Sequence, residues 1–398
     1  VHSADFDWAS RHSLVVLAND SLELRDEQAV RVQLPASLSG NVDRAAFCSG
    51  GRLFLASRKD GLVEVFDRAS GEQVGQPWGH DGPLSNLVVS DAGDKVATVR
   101  VDRVMVWDVL TGSSSSPLVH GHLVKDLAFH PDGSQLATAG ARGQVIVWDL
   151  AAARPVRDPI GHEEGVSWVR FLDGGRSLLS VTESGTGYLW ELGEPGVRKG
   201  LFRHGSPLTA LAHDKEGTSV ATAGTDLNVR IWDARLGEAR TGLLAHPSAV
   251  NDLVFHPSLP ILATAAADGM TRIWDVANGE LLFEGFAHLD AIRQVEFGDD
   301  GSVLSTVGAE GAVCFWSLGW DGEGSTGEVA EFVRAASPLP QGDLPGLVRR
   351  REQHGHHFEV SPLRRRSWLE QRSMADRRWD SREAGLASRE GNWERAIG

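Results

Sequence analysis

Six segments of this chain close on an apolar residue, an aromatic ring and an acid: Val65-Phe66-Asp67, Val106-Trp107-Asp108, Val147-Trp148-Asp149, Leu189-Trp190-Glu191, Ile231-Trp232-Asp233 and Ile273-Trp274-Asp275. Phe315-Trp316-Ser317 is a seventh, variant copy, and from Phe66 to Trp316 the successive aromatic positions lie 41 or 42 residues apart. A period that constant means one supersecondary unit copied in tandem. Such a unit cannot bury its apolar face alone, so the copies must stack on one another.

Within each period the pattern is that of short strands and tight turns. The first strand reads V-x-x-h-x-F, as in Val42 to Phe47, Val124 to Phe129, Val166 to Phe171, Val250 to Phe255 and Ile292 to Phe297, with Leu84 to Val89 and Leu208 to His213 as weaker copies. Turns such as Pro131-Asp132-Gly133 follow, where Asp and Gly accept the required dihedrals; His256-Pro257-Ser258-Leu259-Pro260 turns with proline instead. A second strand, such as Ser219 to Ala223, and a third ending in the aromatic-acid pair complete the hairpins, and a fourth runs into His80, His122, His162, His204, His246 or His288. The 45 glycines and 41% hydrophobic residues fit many short strands, so the fold class is all-β.

These markers resemble the WD40 repeat family: Gly-His near the start of a repeat (Gly79-His80, Gly121-His122, Gly161-His162) and Trp-Asp at its end, over about three-quarters of the chain. The resemblance implies a β-propeller, in which each repeat supplies the outer strand of one blade and three strands of the next. Seven full repeats over 27–317 give a seven-bladed ring, with Ala29-Val30-Arg31-Val32-Gln33-Leu34 placed to complete the blade that ends at Trp316. Residues 1–26 carry three more strands of the same pattern and read as the end of a truncated upstream propeller; the alternative is an eighth blade.

Beyond the ring, 318–360 reads as a Gly- and Pro-containing linker with a short helix at about 327–336, and 361–398 as a short α-helical tail. Its last residues, Gly391 to Ile397, resemble part of a tetratricopeptide repeat. Val1-His2-Ser3 shows neither an initiator Met nor a signal pattern, so both ends read as cuts. No apolar run reaches the roughly 18 residues of a membrane span, and Cys48 and Cys314 sit in strand-like runs as reduced core residues. A cytoplasmic location follows as the default expectation.

Charge excludes one function class. The chain carries −15; by composition 337–398 contributes +3, which leaves the repeats at −18, the wrong sign for broad phosphate-backbone binding. No nucleic acid and no membrane are therefore expected as partners.

Two repeats hold a set of His, Thr, Asp and Trp, namely His204, Thr222, Asp226, Trp232 and His246, Thr264, Asp268, Trp274; His80, Thr98, Asp102 and Trp107 form a partial set. Taken singly, Asp-His-Thr suggests a nucleophilic triad. The family resemblance instead implies a structural hydrogen-bond network repeated from blade to blade. Gly322-Glu323-Gly324-Ser325-Thr326-Gly327 matches a dinucleotide fingerprint but lacks the βαβ unit it needs, and His354-Gly355-His356-His357 lacks further ligands, so neither a cofactor nor a metal site is expected. The loops before three successive Trp strands carry cations: Arg58 with Lys59, Arg100 with Arg103, and Arg142. They form a candidate rim for an acidic or phosphorylated protein segment.

The reading is a non-catalytic protein-protein interaction scaffold, the binding part of a larger bacterial protein such as a Ser/Thr kinase. The alternative is a propeller hydrolase or quinone-dependent oxidoreductase with a site in the central channel. The sequence leaves the oligomeric state open.

Overall fold

In the computed structural model the described residues are 3–9, 12–25, 31–32, 38, 41–193, 198–318 and 337–338. They form eight antiparallel sheets, seven of four strands and one of five. The strands of each sheet follow one another in the chain, so each sheet is one blade. Blade 1 is Ser3–Asp7, His12–Val16, Leu22–Arg25 and Arg31–Val32. Blades 2 to 8 begin at Val42–Cys48, Asn86–Val89, Val124–Phe129, Val166–Leu172, Leu208–His213, Val250–Phe255 and Ile292–Phe297.

The seven-bladed expectation is therefore wrong: the ring has eight blades. Arg31–Val32 pairs with Leu22–Arg25 of its own sheet, while the strand beside the Trp316 strand is Ser337–Pro338. The first 26 residues are part of a blade of this ring. The proposed helices at 327–336 and 361–398, the tetratricopeptide-like end, the glycine fingerprint and the His354 cluster all lie outside the described residues.

Packing explains why the eighth unit is taken in. The buried apolar residues fall into eight clusters, each shared by two neighbouring blades. Leu14, Val16 and Leu24 of blade 1 pack on Phe47, Phe54 and Phe66 of blade 2. The eighth cluster joins Phe6 and Val15 of blade 1 to Val307 and Val313 of blade 8. At this seam Phe315 stands edge-on to Phe6 at 6.0 Å and to Trp8 at 6.2 Å. Trp8 Nε1 donates to Glu296 Oε1 at 2.9 Å, and the Arg25 guanidinium donates to the Gly311 carbonyl at 3.0 Å.

Local sequence follows from this layout. Second strands are sandwiched between neighbouring blades, and Ser219–Gly224 and Ile261–Ala266 are buried throughout, hence their Ala, Thr and Gly content. Third strands end in an acid because its carboxylate caps the next turn. Asp67, Asp108, Asp149 and Asp233 each accept from the N–H groups two and three residues on, as at Ala69 and Ser70. First strands are stapled across blades by Asp5, Asp126 and Asp252, which accept from the backbone N–H of Phe47, Val169 and Val295 at 2.6, 2.9 and 3.0 Å.

The seam gives a test. Phe6→Ala is expected to destabilise the chain by about 3 kcal/mol, the lower end for a buried Phe. A double-mutant cycle with Phe315→Ala, read by urea unfolding, should return a coupling of about 1 kcal/mol. Additive effects would mean that blades 1 and 8 do not meet there.

Candidate functional site

The turns joining fourth to first strands and second to third strands share one rim of the ring. Here six blades repeat one arrangement: a His at the end of one blade's outer strand reaches a hydroxyl on the next blade's second strand, and that hydroxyl also accepts from the Trp indole. His204 Nδ1 lies 2.7 Å from Thr222 Oγ1, to which Trp232 Nε1 donates at 2.8 Å. The same pair of bonds joins His246, Thr264 and Trp274, then His80, Thr98 and Trp107. Three further sets escaped the sequence reading: His120, Thr138 and Trp148; His162, Ser180 and Trp190; His288, Thr306 and Trp316. The signal was available, because every His precedes its hydroxyl by 18 residues. That spacing selects His120, whereas the Gly-His dipeptide pointed to His122.

The acids behave unequally. Asp226 Oδ1 bonds His204 Nε2 at 3.1 Å, and its other oxygen accepts from Arg230 at 2.9 Å. Asp268 is not bonded to His246; it pairs with Arg272 at 2.8 Å, and His246 Nδ1 meets the Leu244 carbonyl instead. Asp102 offers its backbone carbonyl to the His120 N–H, and no bond joins its carboxylate to His80. Blade 3 has a shorter hairpin: Arg100 pairs directly with Arg103, and Thr98 precedes its Trp by 9 residues where the other blades have 10. In blade 8, Glu310 takes the acid's place and bonds His288 Nδ1 at 2.9 Å.

Burial, and in blade 8 the neighbouring groups, set the protonation of these imidazoles. Burial lowers His80, His162 and His204, and takes His246 down to about 4. His120 also falls to about 4, by burial and then the nearby His122, against the Gln144 carbonyl and Asp102. Arg230 and Arg272 push His204 and His246 in the same direction. His288 differs. Burial would lower it, but Cys314 and Glu310 outweigh burial and push it up to about 9. Cys314 occupies the place, four residues after the acid, held by Arg230 and Arg272 in blades 6 and 7. Without that guanidinium, the imidazolium becomes Glu310's cation.

The cationic rim divides into two parts. Arg58 is paired with Asp60 at 2.9 Å and lies 3.8 Å from Glu64, and Lys59 is paired with Asp20 at 2.7 Å. Arg100, Arg103 and Arg142 are exposed, and none makes an ion pair among the described residues. Beside them Val101, 56% exposed, and Leu123, 47% exposed, turn apolar side chains to solvent. The exposure of Val101 and Leu123, like the Arg58 and Lys59 pairing, depends on tertiary placement. Among the described residues no group of three or more His, Cys, Asp or Glu could hold a metal ion, and no helix is long and apolar enough to cross a membrane.

Comparison with known proteins agrees with this anatomy. The WD40 family profile (WD domain, G-beta repeat) matches residues 113–149, 197–233 and 237–275. A serine-threonine kinase receptor-associated protein of Gallus gallus is 27% identical over 143 residues, 35% of this chain and 41% of that protein. The target of rapamycin complex subunit wat1 of Schizosaccharomyces pombe is 28% identical over 179 residues, 44% of this chain and 56% of that protein. The matched stretch is thus less than two-thirds of either relative's length. A solved structure, the computationally designed Ika8 protein, is 24% identical and covers 70% of this chain and 96% of its own, with a TM-score of 0.49. The class is a β-propeller, three stretches of which match the WD40 repeat profile. The ring has eight blades, and the His-hydroxyl-Trp bonds recur in six of them.

Two measurements check the networks. Thr222→Val should cost about 2 kcal/mol by leaving buried polar atoms of His204 and Trp232 without a partner, and an unchanged urea midpoint would refute the bridge. His288 is raised from 6.5 to about 9 in the fold, so its contribution is full below pH 6.5 and lost as pH rises through 9. The stability advantage of the wild type over Glu310→Gln should therefore be present at pH 6 and gone by pH 9.5. A pH-independent difference would contradict the imidazolium pair.

Proposed function

We propose that this chain is a non-catalytic scaffold whose propeller presents the rim of blades 3 and 4 to protein partners. The carrying observation is the contrast on that rim between consumed and unconsumed groups. The hydroxyls that could serve as nucleophiles, Thr98, Thr138, Ser180, Thr222, Thr264 and Thr306, are fully buried and bridge a His to a Trp, which is a structural use. Arg100, Arg103 and Arg142, by contrast, are exposed and make no ion pair among the described residues, on a body whose formal charge is negative. Exposed guanidinium forks beside apolar side chains suit an acidic or phosphorylated protein segment.

The same reading puts the propeller in a cytoplasmic multidomain protein of bacterial type, in which a Ser/Thr kinase domain is one candidate neighbour. Its support is resemblance to such arrays and the two buried free cysteines, which suit a reducing compartment.

Photo-crosslinkers at Val101 and, on the opposite rim, at Ala69 test the scaffold in cells. Val101 should capture partner proteins, and changing Arg100, Arg103 and Arg142 together to Glu should reduce that capture at least tenfold with the melting temperature retained. Undiminished capture would remove the Arg rim, and the absence of partners at either position would remove the scaffold.

A further inference from the structure

Blade 4 departs from its siblings at one position. Counting four residues on from the bridging hydroxyl reaches Asp102, Ser184, Asp226, Asp268 and Glu310 in blades 3, 5, 6, 7 and 8, but Arg142 in blade 4. In blades 6 and 8 that residue's carboxylate holds the ring nitrogen that the hydroxyl leaves free, His204 Nε2 or His288 Nδ1. In blades 5 and 7 a backbone carbonyl, of Gly143 or Leu244, does so. His120 is only 4% exposed, and its Nε2 is buried with no hydrogen-bond partner. Among the described residues no other His of the six networks has a ring nitrogen that is both buried and without a hydrogen-bond partner.

The orphan nitrogen faces the position of the missing acid. His120 and His204 both give Nδ1 to their threonine, at 2.8 and 2.7 Å. A Cβ built on Gly140 would lie 2.2 Å from His120 Nε2, and one built on Gly224 would lie 2.3 Å from His204 Nε2. The two rings are therefore seated alike, each over a glycine two residues before the acid position, and His204 Nε2 reaches Asp226 from that seat. The Thr138 hydroxyl is 2.8 Å from His120 Nδ1 and 3.4 Å from the Ile146 carbonyl. With the hydroxyl proton turned to Nδ1, the nearer of the two, the imidazole proton sits on Nε2. In that tautomer a buried donor has no hydrogen-bond partner, at the position where blade 4 carries an exposed guanidinium and blades 6 and 8 carry a bonded carboxylate.

Around this point the rim supplies further contacts. Arg103 sits opposite Val119, the residue before His120. The Val124 N–H donates to the Val101 carbonyl at 2.8 Å, and the Ala141 N–H to the Leu123 carbonyl at 2.9 Å, so Val101, Leu123 and the Arg142 turn are neighbours. Val101 is a β-branched residue at φ 59°, a left-handed conformation that disfavours it. Its two-residue turn would be better served by Gly or Asn. Strain of this kind is kept where a side chain has work outside the fold.

We propose that a carboxylate side chain of a partner protein's acidic-apolar segment completes the blade 4 network, accepting from His120 Nε2 and pairing with Arg142 and Arg103 while its apolar neighbour covers Val101 and Leu123. This rests on the scaffold reading and adds the ligand chemistry and the socket. Carboxylate is chosen because one carboxyl group fills this position against the imidazole in blades 6 and 8, the former with its ring seated as His120 is. Arg142 is exposed and makes no ion pair among the described residues, so it can swing aside to admit the acid.

The test uses the full chain and a fluorescent peptide of sequence Gly-Leu-Asp-Ile-Gly, blocked at both ends, with Asn and phosphoserine analogues at the Asp position. Binding is followed by anisotropy and by imidazole nitrogen NMR of His120. The Asp peptide should shift His120 Nε2, and the Asn analogue should bind at least tenfold more weakly. Arg142→Asp should refill the socket from within: the peptide loses at least tenfold in affinity while the melting temperature holds or rises. Arg142→Lys should stay within threefold of the wild type, and Val101→Gly should melt higher yet bind the peptide less well.

Unchanged peptide affinity in Arg142→Asp, or a silent His120, overturns the proposal. A phosphoserine analogue that alone binds and moves His120 overturns the carboxylate assignment. If no peptide binds while crosslinking at Val101 still captures partners, the socket fails and the scaffold stands; if crosslinking is also empty, both fail.

Discussion

A four-stranded blade with apolar residues on both faces cannot be stable alone, and every other feature of this molecule follows from that constraint. Each blade hides its faces only against two neighbours, so the chain must supply blades until the circle shuts. Eight shared apolar clusters are the result. At roughly 25 cal/mol per Å2 of apolar surface removed from water, these interfaces are the main source of stability, and the polar devices work between them. Asp5, Asp126 and Asp252 fix one first strand against the next, while the buried hydroxyls lock His to Trp at the rim.

One rim position shows how a repeated scaffold acquires local character. Where blade 6 has Asp226 with Arg230, the imidazole stays neutral and the guanidinium takes the charge. Where blade 8 has Glu310 with Cys314, the imidazole is the cation. Where blade 4 has Arg142 with Ile146, no acid stands at this position, the His120 nitrogen is buried without a partner, and the guanidinium makes no ion pair among the described residues. The backbone frame is shared, so the difference lies in side-chain charge alone. That is also why a binding role is argued from this site: the fold hosts many functions, and only such departures distinguish one chain.

Much of this was legible in the sequence. The period of 41 or 42 residues gave the blades, and alternating apolar residues gave their strands. The blade count was missed because the first unit ends at Leu24-Arg25-Asp26, without the aromatic that marks the others, and because Ala29 to Leu34 fits either end of the ring. Which partner wins there depends on the apolar faces of blades 1 and 8, a tertiary matter. Similarly, Asp102 and Asp268 stand in register with Asp226, yet blade 3 has a hairpin one residue shorter, and in blade 7 the His246 ring gives Nε2 to Thr264 and Nδ1 to the Leu244 carbonyl, leaving Asp268 to Arg272. His120 could have been found from the 18-residue spacing; its empty Nε2 could not, since only coordinates show what a buried nitrogen touches.

Removing residues 1–26 and following thermal unfolding of the remainder tests the account most directly. A ring that needs blade 1 loses both apolar interfaces that blade makes, with blades 2 and 8. The melting temperature should fall by well over ten degrees, and a hydrophobic dye should bind at the opened faces. A truncated chain that melts at the same temperature as the full one, with no dye binding, would show that the other seven blades close by themselves and would contradict the eight-bladed ring.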